Sequence, residues 1–159
     1  MQIENLTSLD GVGLSRLLAR AVEGYGDQRR LRVRVGWTRA DCRQSWTGIF
    51  RPAALIRVSL NRRNRYPLVE RLNSGVYLER RREMINGEEW HFWRQAPNEV
   101  IVKRPEELLL VGFLHEFSHR LDHQAGANLH YKQTRADKFA FGVLRERFPE
   151  IETRPAKGA

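Results

Sequence analysis

The stretch NEVIVKRPEELLLVGFLHEFSHRLDH, Asn98–His123, decides how this chain folds. It opens on Val100, Ile101 and Val102, a β-branched run that suits a strand. Pro105 stands where the first turn of a helix tolerates a missing N–H. Glu106 and Glu107 follow, where carboxylates meet the positive end of the helix dipole. Apolar residues Leu108, Leu109, Val111, Phe113, Leu114, Phe117 and Leu121 then continue to about His123, and Gln124–Asn128 (QAGAN) breaks the pattern. The order predicts a strand at Asn98–Lys103 feeding a long helix from Pro105 to about His123.

Within that helix stands His115-Glu116-Phe117-Ser118-His119, the HExxH pattern. Residues four apart lie one turn apart on one helical face, so both imidazoles can address a single ion. A catalytic zinc takes three protein ligands and keeps a position open for water. Glu116 directly follows the first histidine, where its carboxylate can take a proton from such a water and pass it to a leaving amine. The pattern therefore predicts Zn2+ as cofactor, His115 and His119 as ligands, Glu116 as catalytic base and a peptide or protein as substrate. It also predicts an amphipathic helix whose histidine face is distinct from the core.

A second helix is expected from about His130 to Phe148, with Ala136, Phe139, Ala140, Val143 and Leu144 on one face. If the two helices fold back as an antiparallel hairpin, residue n faces roughly residue 253 minus n. His119 then opposes Thr134 and His115 opposes Lys138, which brings Gln133 and Asp137 to the level of the histidine pair. Asp137, with an anionic oxygen, is the expected third metal ligand. His130 and Gln133 remain alternatives, as does an Asp137 that orients a zinc-bound histidine instead of binding metal. His123 lies about 12 Å from His115 along the axis and is too far to share the ion. His91 reads as a strand surface residue.

HExxH followed by Gln133-Thr134-Arg135-Ala136-Asp137-Lys138-Phe139-Ala140 resembles the ImmA/IrrE-type metallopeptidases, whose second helix carries E-x-x-A-(D/N)-x-F-A. Gln133 stands where that family has its glutamate ligand. The strand–strand–helix lead-in also looks like SprT-type peptidases, in which a histidine beyond the active helix is the third ligand; His130 would take that place. The resemblance covers roughly Val100 to Leu144. It implies an α+β, zincin-like fold: a small mixed or antiparallel sheet packed on the HExxH helix and on a following antiparallel helix.

At 159 residues one domain is expected, over 1–150, with a flexible tail at 151–159 and a variable insertion at 61–97. N-terminal to the HExxH helix, a helix is expected over Leu14–Glu23, capped by Asp10 or Ser8, and strands at Arg30–Trp37 and Leu55–Leu60. Pro52 requires the second strand to lie at an edge or to begin after it. Within the insertion, short strands are expected at Val76–Glu79 and Glu89–Arg94. Trp90, Phe92 and Trp93 are expected to form a small core beneath a hairpin, the other reading being that they stack on nucleic-acid bases.

The apolar run Leu108–Leu114 is too short to cross a bilayer. The opening MQIENLTSLDG has no basic and apolar leader, and the only cysteine is Cys42. A cytoplasmic location with no membrane partner is the expectation. The net charge is +9, and of 28 basic residues four are lysines and the other 24 arginines. In the first strand Arg30, Arg32 and Arg34 alternate with Leu31, Val33 and Val35, so one face is basic. Non-specific DNA association through that face is expected. A non-catalytic nucleic-acid-binding domain is the alternative to the peptidase.

Overall fold

The computed structural model describes residues 1–39, 41–52, 54–127 and 133–156. Its elements, in chain order, are β1 (Gln2–Asn5), α1 (Gly11–Val22), β2 (Arg32–Trp37), β3 (Trp46–Arg51), β4 (Leu55–Leu60), β5 (Leu68–Ile85), β6 (Glu88–Val102), α2 (Pro105–Gln124), α3 (Gln133–Arg147) and β7 (Glu152–Arg154). The chain is a mixed α+β fold with three helices and two sheets among the described residues.

The first sheet has the order β1-β2-β4-β3. β1 and β4 both run parallel to β2, whereas β3 is antiparallel to β4 and forms one edge. Alternation decides its two faces. Val33, Val35, Ile56 and Val58 are buried, and the residues between them point the other way. Pro52 lies between β3 and β4, so β4 begins after it and sits inside the sheet.

α2 forms the centre of the molecule. Every residue from Glu107 to Ser118 is buried, so the helix is enclosed around its whole circumference, which corrects the expected amphipathic pattern. Glu107 secures its start: Oε2 accepts from the Lys103 backbone N–H at 2.6 Å and Oε1 from Arg104 Nε at 3.2 Å. Gly112 lets α2 approach the sheet closely. A Cβ there would lie 2.8 Å from Trp46 Cε3 and 3.0 Å from Val58 Cγ1. At the other side, Phe117 meets the rings of Tyr25, Phe113 and Phe139, tying α2 to α3 and to the end of α1. α1 starts on Asp10, whose carboxylate accepts from the Val12 and Gly13 N–H groups.

The second sheet has the order β5-β6-β7 and is antiparallel throughout. The weakly patterned insertion is thus a long hairpin that absorbs all the short strands expected there. Its turn is Asn86–Gly87, with φ of 53° and 83°, the left-handed pair that a two-residue hairpin loop requires. Two expectations fail here. Trp90 and Trp93 are 51% and 58% exposed, so they form no core beneath the hairpin. The ribbon extends past the rest of the sheet and leaves little to pack them against. Residues 151–156 of the expected tail are also not loose: Glu152–Arg154 pairs with Glu99–Ile101, Ile151 is buried, and the Ala156 N–H donates to Asn98 Oδ1, while 157–159 lie outside the described residues.

Candidate active site

A cleft of about 700 Å3 opens between β3, the edge of the first sheet, and residues 70–72 of β5, the edge of the second. α2 contributes His115, Glu116 and His119 to it, and α3 contributes Gln133 and Asp137. The antiparallel register expected from the turn therefore brings the intended residues to one place.

His115 and His119 present their Nε2 atoms to each other at 3.3 Å. On the far side of the His115 ring, Nδ1 meets Asp137 Oδ1 at 2.7 Å. Asp137 Oδ2 accepts from the Asn73 backbone N–H at 2.8 Å and from Asn73 Nδ2 at 2.7 Å. Both oxygens of Asp137 are thus engaged, and neither is engaged at the Nε2 pair. Asp137, the expected direct ligand, is here a hydrogen-bond partner of His115. It fixes the ring and tautomer of His115, with the proton on Nδ1 and the lone pair of Nε2 turned to His119. Among the described residues no group of three His, Cys, Asp or Glu side chains converges as a metal cage. Gln133 lines the cleft and adds to the raised proton affinity of His115. His130 lies outside the described residues.

Burial and charge pull the two imidazoles apart. Burial, the largest single influence, opposes charge on His115, but Asp137, Glu116 and Gln133 together outweigh it and raise the ring's proton affinity above its ordinary value. His119 is lowered, by burial first and then by the neighbouring His115. Glu116, 7% exposed, is raised by burial, against the pull of His115 and of the Phe50 backbone N–H that it accepts.

Four further residues shape the site. Gly48 on β3 lies over Glu116, and a Cβ there would come within 2.7 Å of Glu116 Cγ and 2.8 Å of its Cδ. Trp46 packs edge-on against His115, with centroids 5.6 Å apart. Its Nε1–H donates to Glu70 Oε1 at 3.1 Å, while Ser45 Oγ–H donates to Oε2 at 2.8 Å. Glu70 thereby fastens β3 to β5 across the cleft, and its own pKa is raised, chiefly by burial. The fourth residue is Asn73, the anchor of Asp137. None of the four had a signal in one-dimensional spacing, because each acts across elements distant in sequence.

The other described histidines, His91 and His123, lie apart from this pair. His123 meets the Phe50 ring edge-on at 5.7 Å, and His91 is a hairpin surface residue 3.0 Å from Glu79 Oε1. Arg32 and Arg34 sit on the opposite face of the first sheet, and Arg30 is exposed just before β2. No protein-family model matches the chain, and no curated protein or solved structure matches it either.

Proposed function

We propose that this protein is a zinc-dependent peptidase of zincin-like fold. The observation that carries the reading is the 3.3 Å separation of the His115 and His119 Nε2 atoms. Two nitrogens each about 2.0–2.1 Å from a tetrahedral zinc lie roughly 3.3–3.4 Å apart. The same separation is at the long end for a hydrogen bond. The surroundings also favour a cation. In a chain of net charge +9, the cleft gathers Glu70, Glu116 and Asp137, and its one arginine, Arg71, is mostly exposed and paired with Glu99.

His115 and His119 would supply two of the three protein ligands, and Asp137 would keep His115 in the ligating tautomer. Bound zinc would supply Lewis acidity to a peptide carbonyl and to water. Glu116 is the base: its buried carboxylate holds a proton more readily than an exposed one and can return it to the leaving amine. β3 is the edge strand along the cleft, where an extended peptide can add as a further strand to backbone groups other than the Phe50 N–H that faces Glu116. An antiparallel edge strand over an HExxH helix supports the zincin-like reading.

The test is metal content of the purified protein beside the His115→Ala/His119→Ala double variant. About one zinc per parent chain and almost none in the variant is expected. Equal, negligible zinc in both would remove the peptidase reading.

A further inference from the structure

On the side of the first sheet facing away from α2, strand register assembles a patch of arginines that the sequence shows only in part. Arg34 on β2 is the Cα partner of Arg57 on β4, which pairs in turn with Ile49 on β3. One row along, Arg32 pairs with Leu55, which pairs with Arg51. All four arginines alternate with inward residues such as Val33, Val35, Ile56 and Phe50, so they share the outer face. Only Arg34 has an acidic partner, Glu4 at 2.7 Å. Among the described residues Arg32, Arg51 and Arg57 have none.

Arg34 and Arg57 are directly opposite on neighbouring strands, and only Arg34 of the two is compensated by a carboxylate. At one end the patch runs into a recess of about 310 Å3, lined by Arg39 and Arg57 together with Thr38, Thr47, Ser59 and the acidic Asp41. Thr38 Oγ1 is the one buried side-chain polar atom without a hydrogen-bond partner among the described residues.

We infer that this outer face binds the sugar-phosphate backbone of nucleic acid, without reading base sequence. The backbone positions of Arg32 and Arg34 are about 6.6 Å apart along β2, those of Arg34 and Arg57 about 4.8 Å apart across strands, and Arg51 lies two strands from Arg32, a spread that can follow a linear polyanion. Planar guanidinium forks suit phosphate oxygens, and no lysine contributes to the face. Apart from Ile49 it exposes no large apolar side chain, which disfavours insertion into a lipid surface. The proposal does not depend on the peptidase reading, because the cleft lies on the other side of the sheet.

Fluorescence anisotropy with labelled duplex and single-stranded oligonucleotides across a salt series tests it. The parent should bind at low salt and release steeply as salt rises. The triple variant Arg32→Ser/Arg51→Ser/Arg57→Ser should bind at least about tenfold more weakly, with the logarithmic salt slope reduced by about two to three. Arg16→Ser/Arg80→Ser/Arg94→Ser removes the same charge from exposed positions elsewhere and should leave the slope within about one unit of the parent. Thermal melting of both triples reports that they fold. Absence of binding at low salt, or equal weakening by the two triples, would overturn the proposal. So would patch-dependent binding to phosphatidylserine vesicles without binding to oligonucleotides. Glu116→Gln should leave oligonucleotide affinity unchanged whether or not the cleft is catalytic.

Discussion

On the proposed reading Glu116 supplies the chemistry, and Gly48 leaves the room for it. Glu116→Gln keeps the shape and removes the base, so zinc should remain bound while kcat falls by about 10²–10⁴-fold. Metal analysis beside steady-state kinetics checks both halves; near-normal turnover would take Glu116 out of the mechanism. Gly48→Ala should also impair turnover, for a different reason: the added methyl overlaps the carboxylate stem, so Glu116 must swing away. The expected result is a loss of about tenfold or more in kcat with zinc retained, since a displacement of about 1 Å at a reacting group can cost about 10²-fold. Asp137→Asn removes the charge that holds His115. Zinc affinity, measured by competition with a chelator, should fall by about 10–100-fold. An unchanged affinity would mean that His115 needs no such support.

At the scale of elements, the site depends on how closely α2 lies under β3 and β4. Gly112 is the point of contact, with Trp46 and Val58 against its Cα. Gly112→Ala should destabilise the fold by about 1–3 kcal/mol through overpacking, read from a denaturant midpoint at unchanged slope. Because Trp46 also packs on His115 and is held by Glu70, the same change should weaken zinc binding. Destabilisation with unaltered zinc affinity would show that helix spacing and metal geometry are independent.

For the molecule as a whole, the cleft is where the two sheets and the two later helices meet, so an ion held there binds only the folded chain. A ligand at about a thousand times its Kd adds about 4 kcal/mol to stability. For a chain of this size that raises Tm by roughly ten degrees. Chelation should therefore lower Tm by about that amount, and His115→Ala should melt at the chelated value with or without zinc. A parent Tm indifferent to zinc and chelator would contradict a bound resident ion.

The sequence by itself determined whatever follows from spacing along one element. Asn98–His123 announced a strand and a long helix, and HExxH put two imidazoles and a carboxylate on one turn. The short link after Gln124 brought Gln133 and Asp137 to the same level. Alternation in β2 and β4 named the inward Val33, Val35, Ile56 and Val58. Asn86-Gly87 also carried a turn signal, though the charged residues around it obscured the strands it joins. Only the tertiary structure decided the rest, because those properties depend on pairs distant along the chain. Asp137 became a support for His115 once Asn73 of β5 took its second oxygen. Gly48 became indispensable because β3 lies over Glu116, and Arg57 and Arg51 joined Arg32 and Arg34 through strand register. Periodicity states which side of an element a residue occupies; what stands opposite is set by packing between elements.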